Sequence, residues 1–463
     1  MSSLGGSWWR RFDPSGVGEL QAVILAGGLG RRVRPLSLNR PKPMFKILGK
    51  PLIQHVIETL REAGLKDLIV VVGHLGEQIQ NYLGDGSRIG VNIQYTVQEK
   101  PLGMANALET AEDLVEDHFF VVNADDIFES SLVREMLKRF QRGDADILLS
   151  CKPVKETWKF GIVRLEDGDR VVELVEKPER GREPSNLAVI GVYLLTKRIF
   201  EYCRRVPVSD HQYEDAIQRF IEDGNVVRVV PYKGFFAAYK YPWDLFTINR
   251  YLMDQHIKEP ILEDGVEISE RAVGAGRVWI RSGARSREGA CVRGPCYIGR
   301  GTLIGNNSLV WNYSSIGEGC VVGYSTEIKH SIIGDHCWFH RNYIGDSILG
   351  DHCSFGAGAV TANLRFDEET VKVTIEGRRV DSGRVKLGAI VADGCRVGVN
   401  ATLLPGVKVG PFSIVGPNVC LYRDLDPNKA IFVDRRSFII RERKIKIEPK
   451  GRKPPLSLSE QAA

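Results

Sequence analysis

No stretch of this 463-residue chain approaches the roughly 18 consecutive apolar residues that a membrane-spanning helix needs, so no segment is expected to cross a bilayer. The nine cysteines include no CxxC pair and no repeated pairing interval, which excludes the common zinc ribbons and the disulfide frame of a small secreted domain. The expected setting is a reducing cytoplasm. Charge of one sign is also scarce: the formal net charge is +5, partly gathered at the C-terminus, which makes no case for nucleic acid. The start, with Trp8–Trp9 beside Arg10 and Arg11, lacks the apolar core of a secretion signal and is expected to be a docking or unstructured extension over residues 1–20. Apolar residues at 43% and charged residues at 26% are ordinary for soluble folded domains, and the length is enough for two or three of them.

What is present divides into two patterns. From Gln21 to about residue 258, apolar strand-like runs alternate with segments of helical spacing. QAVILAGG ends in glycines, PLIQHVIETLREAG reads as a helix closed by Gly64, and DLIVVVG, NIQYTVQ and HFFVVNADD read as further strands. A helix is expected over ANALETAEDLV. This alternation predicts an α/β Rossmann-like domain with a largely parallel sheet and ligands at the carboxyl ends of its strands.

After Pro260 the period becomes six. Aliphatic residues recur at Ile298, Ile304, Val310, Ile316, Val322 and Ile328, and again at Val391, Val397, Leu403, Val409 and Val415. A six-residue period with one inward aliphatic per side predicts a left-handed parallel β-helix over 261–425. Cys320, Cys337, Cys353 and Cys395 each fall four residues after such an aliphatic and are expected to be small core residues, not ligands or redox groups. His330, His336 and His352 fall on turns and are read as surface residues. A break near 361–386 is expected to be an inserted face, where solenoids often bind, and 426–463 to be a basic tail that is solvated or packs at an interface.

Two constellations carry chemistry. Gly27, Gly28 and Gly30 follow the first strand, with Arg31 and Arg32 adjacent. Glycines there admit phosphate to backbone N–H groups, and neither the dinucleotide nor the P-loop spacing is present. Lys42 stands between Pro41 and Pro43, which hold it extended. Farther on come Gln98, Gly103, Asp125, Gly161, Glu176-Lys177 and Asn186. In the helical repeat, His340 and Tyr343 precede Asn363 and Lys372, and the latter two lie in the insertion.

LAGGLGRRVRPLSLNRPKPMFKILGKPLIQHVIE resembles the sugar-1-phosphate nucleotidyltransferases, most closely their thymidylyltransferase branch. The likeness extends through QEKPLGMANA, NADDIF, FGIV, EKP, SNLAVIGVYLL and YPWDL to about Ile257. The second half resembles the acetyltransferase domain of bifunctional archaeal and GlmU-like enzymes. That resemblance implies attack of a sugar-1-phosphate on the α-phosphate of UTP or dTTP with loss of pyrophosphate. Arg32, Lys42 and Lys177 would handle the phosphates, Asp125 would ligate Mg²⁺, and Gln98 with Gly103 would receive the pyrimidine. Gly27, Gly28 and Gly30 would cradle phosphate, and Gly161, Glu176 and Asn186 would line the substrate site. It also implies acetyl transfer from acetyl-CoA to an amino-sugar-1-phosphate, glucosamine-1-phosphate being the expected one. There His340 would act as base, Tyr343 and Asn363 would hold the sugar, and Lys372 its phosphate. A homotrimer or dimer of trimers follows by the same resemblance, with no nucleic acid or membrane as partner.

Four departures qualify the expectation. Arg31 replaces the usual Thr after Gly30, and Met104 replaces a small hydroxyl residue. Glu369 stands where a lysine is common. Ala238 stands where the family usually has a second metal-binding Asp. Slowed nucleotidyl transfer is therefore one reading. A non-catalytic nucleotide-sugar sensor or regulatory subunit, or an acetyltransferase scaffolded by its first domain, are others.

Overall fold

The computed structural model describes residues 20–209, 211–434 and 438–442. The Trp8–Trp9 extension and the tail beyond Glu442 lie outside the described residues. The chain separates into two compact units. One comprises the start through Leu29 together with Ile53–Ala238; the other comprises Gly30–Leu52 together with Tyr239 onward.

The first unit is built on a nine-stranded sheet. Its strands are β1 (Gln21–Leu25), β2 (Asp67–Val72), β3 (Asn92–Val97), β4 (His118–Asn123), β6 (Ile147–Pro153), β7 (Gly161–Glu166), β8 (Arg170–Glu176), β9 (Leu187–Thr196) and β10 (Val227–Pro231). A short β5 (Asp126–Phe128) pairs instead with β11 (Phe236–Ala238). The order is β3-β2-β1-β4-β9-β6-β10-β8-β7. As expected most strands share one direction: β3, β2, β1 and β4 run parallel, as do β6 and β10, whereas β9 lies antiparallel to both β4 and β6, and β8 to both β10 and β7.

β1 and β2 are apolar at nearly every position because both faces are covered. The helices begin with α1 (Leu52–Glu62), α2 (Gly76–Leu83), α3 (Met104–Glu109), α4 (Ser130–Phe140), α5 (Ile199–Arg205) and α6 (Gln212–Glu222). On one face Val23, Ile69, Val71, Phe119 and Val121 pack against Leu108 of α3, Phe200 of α5 and Phe220 of α6. α3 stops at Glu109, sooner than the apolar spacing of ANALETAEDLV predicts. The Thr110 hydroxyl donates to the Ala107 carbonyl, supplying a local bond that competes with helix continuation.

In the second unit the repeat forms three parallel ladders, one for each side of a left-handed β-helix. The inward residues named from the sequence are buried, as are Cys320, Cys337, Cys353 and Cys395. The strict period ends at Ile328 because the coils tighten. Ile298 pairs with Ile316, Ile316 with Ile333, and Ile333 with Leu349, so successive coils take 18, 17 and 16 residues. Leu349 then pairs directly with Val391, and the insertion is extruded between neighbouring rungs. It carries a hairpin, Lys372–Ile375 against Arg378–Asp381, closed at its base by Leu364 and Lys386. The ladder runs past Leu425: Ala430 and Ile431 pair with Ile414 and Val415, so the first part of the expected tail is a rung of the helix. Among the described residues no helix is long and apolar enough to cross a membrane.

Candidate functional site

In the first unit, neighbouring parallel strands deliver two of the expected groups to one edge. Leu25 of β1 pairs with Asn123 of β4, and the Ala124 N–H donates to the Leu25 carbonyl at 3.0 Å. Gly27 and Asp125 each follow two residues later. Gly27 is buried and Gly28 exposed; a Cβ on Gly27 would lie 2.5 Å from the Gln98 Oε1, so only glycine allows this approach. The buried Gln98 amide donates through Nε2 to the Gly103 carbonyl (3.1 Å) and to Asn106 Oδ1 (3.0 Å), leaving its oxygen turned toward Gly27. Gly103 has φ +109°, in the region that glycine alone enters readily, and it opens α3.

Asp125 and Asp126 are both buried. Asp126 Oδ2 accepts the Asn123 side-chain N–H at 2.8 Å, and a Cβ on Gly191 would intrude to 2.4 Å from that oxygen. Asp126 is thus fitted into the sheet. In the β5–β11 pair the residue opposite Asp126 is Ala238, so the position that lacks a carboxylate adjoins this acidic corner.

A second corner forms where β7 meets β8. Gly161 pairs with Glu176, and a Cβ there would lie 2.9 Å from Glu176 Oε2. Lys177 contacts Glu176 Oε1 at 2.8 Å and has φ +46°, a left-handed geometry uncommon for a lysine. Burial, with the Glu176 charge next, raises the Glu214 carboxyl of α6 to about 7. The buried Tyr193 hydroxyl is pushed well up, by burial first and then by the charges of Glu214, Glu176 and Asp126. Tyr193, Asn106 and Asn123 lie within SNLAVIGVYLL, QEKPLGMANA and NADDIF but receive no role from the sequence, and Glu214 lies outside every quoted motif. Asn186 is exposed before β9 and accepts the Val154 N–H through its carbonyl; none of the contacts above includes its side chain.

Arg32 and Lys42 belong to the second unit. Gly30 adopts φ +60°, and its carbonyl accepts the Ser37 hydroxyl at 2.7 Å. The exposed Arg32 guanidinium lies 6.0 Å from the Tyr241 ring centroid, and the Lys42 ammonium 5.1 Å from that of Tyr239. Burial raises the Asp244 carboxyl, with partial offset from the N–H groups of Tyr241 and Lys240 and from the Lys42 charge. Asp244 accepts those N–H groups at 2.6 and 2.8 Å, closing a local turn over the YPWDL segment.

On the β-helix, Tyr343 and Asn363 come together. The Asn363 amide donates to the Tyr343 hydroxyl oxygen (3.1 Å) and to Asp346 Oδ2 (2.6 Å). Asp346 is 3% exposed, and its other oxygen lies 3.7 Å from Nδ1 of His330. His330, expected to be a surface residue without a carboxylate partner, is half-buried between Asp346 and Asn312 (2.9 Å). His336 and His352 do stand at left-handed turns, their rings stacked at 5.0 Å. His340 is exposed at a corner, its N–H bonded to Asn342 Oδ1 at 2.5 Å. Lys372 is exposed on the inserted hairpin opposite Asp381. Among the described contacts none joins His340 or Lys372 to the Tyr343–Asn363 pair.

Comparison with known proteins places these features in context. The nucleotidyl transferase family profile matches residues 21–253. The chain is 36% identical over 417 residues to the bifunctional protein GlmU of Methanocaldococcus jannaschii, an alignment covering 89% of this chain and 97% of that protein. It is 33% identical over 414 residues to the bifunctional sugar-1-phosphate nucleotidylyltransferase/acetyltransferase of Sulfurisphaera tokodaii, covering 88% and 98%. It is 33% identical over 317 residues to a glucose-1-phosphate thymidylyltransferase of Streptomyces griseus, covering 68% and 87%.

Proposed function

The chain belongs to the nucleotidyl transferase family, and from that premise we propose that it is a bifunctional enzyme of nucleotide-sugar synthesis. Its domains are proposed as 21–258 for nucleotidyl transfer and 261–425 for acetyl transfer. The first joins UTP or dTTP to a sugar-1-phosphate; the second acetylates an amino-sugar-1-phosphate, glucosamine-1-phosphate, from acetyl-CoA. The observation that carries the reading is the paired exit of Gly27 and Asp125 from adjacent parallel strands, beneath a Gln98 oxygen already oriented by Gly103 and Asn106. An amide oxygen held this way accepts the imide N–H common to uracil and thymine, which supports a pyrimidine triphosphate.

In the nucleotidyl step, a sugar-phosphate oxygen attacks the α-phosphorus and the α–β anhydride bond breaks. Pyrophosphate leaves with the bonding electrons. Gly27, Gly28 and Gly30 offer backbone N–H groups to the triphosphate. Arg32, Lys42 and Lys177 hold phosphate oxygens of the two reactants, while Gly161, Glu176 and Asn186 line the sugar side. The donors present, a buried carboxylate with no thiolate or imidazole beside it in the acidic corner, suit a hard cation. A magnesium ion held by Asp125 and completed by phosphate oxygens would neutralise charge on the triphosphate. Ala238 removes a second carboxylate from that corner, and this favours slower transfer. Replacing it, Ala238→Asp, is expected to raise pyrophosphate release about tenfold.

In the acetyl step, His340 takes the proton from the attacking amine as nitrogen bonds to the thioester carbon. The C–S bond then breaks and coenzyme A leaves as its thiolate. Tyr343 and Asn363 hold the sugar and Lys372 its phosphate. Because His340 and Lys372 make no described contact with Tyr343–Asn363 within one chain, the reading includes a homotrimer, or a dimer of trimers, that completes the site. Nine free cysteines suit the reducing cytoplasm.

The test is a pair of assays on one preparation: thiol release from acetyl-CoA with glucosamine-1-phosphate, and pyrophosphate release from UTP or dTTP with sugar-1-phosphates. Activity in both supports the reading. Acetyl transfer alone, with no gain in Ala238→Asp, would leave the first domain as a scaffold. Silence in both across a substrate panel would leave a nucleotide-sugar sensor.

A further inference from the structure

One turn of the β-helix carries an acidic column. Asp335, Asp351 and Asp393 occupy equivalent places in successive coils. Each uses Oδ1 to accept a backbone N–H from the coil before it: Glu318 to Asp335 at 2.9 Å, Asp335 to Asp351 at 2.8 Å, and Asp351 to Asp393 at 2.8 Å. The remaining oxygens face the segment that contains Lys42. Arg40, only 8% exposed, donates to Asp351 Oδ2 (2.7 Å) and to both oxygens of Asp393 (2.5 and 3.3 Å). The Lys46 ammonium meets Asp335 Oδ2 at 2.5 Å.

Lys42 lies between these anchors, two residues beyond Arg40 and four before Lys46. Pro41 and Pro43 remove slack on either side of it; contrary to the extended backbone that the prolines predict, Lys42 begins a single helical turn, Lys42–Met44. Burying a guanidinium and three carboxylates is costly, and such a network is a poor device for stability alone. It is a good device for fixing geometry, because a misplaced charge in this largely buried network has little solvent to fall back on. Burial by itself would raise the Asp351 carboxyl, yet the Arg40 charge and the Asp335 N–H hold it below the usual carboxylate range, as expected of an anchored ion pair.

We propose that the Asp335–Asp351–Asp393 column, acting through Arg40 and Lys46, is the positioning device for Lys42 and thereby sets the turnover of nucleotidyl transfer. None of the five is catalytic; each acts through the lysine. The inference rests on the reading that Lys42 holds phosphate. It makes the β-helix a working part of the first reaction in addition to the seat of the second.

The test uses the full-length chain with Arg40→Met, Arg40→Lys and the milder Asp393→Asn. Three readouts are needed: pyrophosphate release resolved into kcat and KM, acetyl transfer, and the acylation rate of Lys42 relative to other lysines by mass spectrometry. Arg40→Met is expected to lower kcat for pyrophosphate release about tenfold or more, the penalty for a group displaced by a fraction of an ångström to an ångström. KM and acetyl transfer should stay unchanged, and Lys42 acylation should accelerate. Arg40→Lys should recover part of the loss, and Asp393→Asn should fall between. Unchanged kcat in Arg40→Met overturns the proposal. So does a fall in kcat with unaltered Lys42 acylation, or a parallel loss of both activities that extends to Asp393→Asn. A parent chain that releases no pyrophosphate overturns the role given to Lys42, while the acylation rates still report whether the clamp holds it.

Discussion

The two halves of this chain solve the same problem, holding a phosphorylated sugar, with different materials. The α/β unit uses strand ends: glycines where a backbone must come close, and side chains such as Gln98 and Asp126 locked by neighbours only a few residues away. The β-helix uses stacking: Tyr343 and Asp346 sit on one coil, and Asn363 on the next reaches both across the rung. A strand-end site tolerates changes in one loop at a time; the first unit has changed at Met104 and Ala238, and the segment after Leu29 at Arg31. In the β-helix the bonds that join Asp346, Asn363 and Tyr343 cross from one rung to the next, and Glu369 is the departure from the family pattern there.

That contrast can be broken experimentally. The largest effect is expected from His340→Ala, which removes the proposed general base: acetyl transfer should fall by about 10²–10⁴-fold while pyrophosphate release is retained. Loss of both activities would show that the halves are not separable. Next comes Asp125→Asn, expected to lower pyrophosphate release by about 10²–10³-fold and spare acetyl transfer, measured with magnesium in excess. A smaller drop would mean that the acidic corner does little because Ala238 has already weakened it.

A finer probe is Asp346→Asn. It replaces the carboxylate that orients the Asn363 amide, a charge-assisted bond, and should raise KM for the amino-sugar phosphate about tenfold. The smallest effect concerns pH. Burial, and then Glu176, raise Glu214 from the ordinary 4.5 to about 7, so the folded state binds a proton that the unfolded chain releases. That contribution to stability is full below about 4.5 and is lost as pH rises through about 7. Melting temperature should decline across this window, and Glu214→Gln should flatten the decline.

Much of the architecture was legible because it is periodic. A residue facing inward every sixth position cannot avoid advertising a β-helix, and four cysteines on that period were correctly placed in its core. Glycine loops were legible for a related reason, since a backbone that must be approached excludes side chains, as at Gly27 against Gln98. The reversed direction of β9 within the sheet was not legible: it reads as an apolar strand whichever way it runs, and only its pairing with β4 and β6 sets direction. His330 was misread because nothing local to it announces Asp346, which lies one coil on.

The sequence by itself therefore determined the two kinds of domain, the inward residues of the repeat and the order of the phosphate-handling motifs, because each is written in local spacing. The tertiary structure alone decided which charges meet. Arg40 and Asp393 lie 353 positions apart, and no period or motif links them. Their pairing exists because a coil stacked at fixed rise repeats its turn positions in space, aligning carboxylates that the chain keeps far apart. Long-range electrostatics of this kind follows from packing, and packing is decided only when the whole fold has closed.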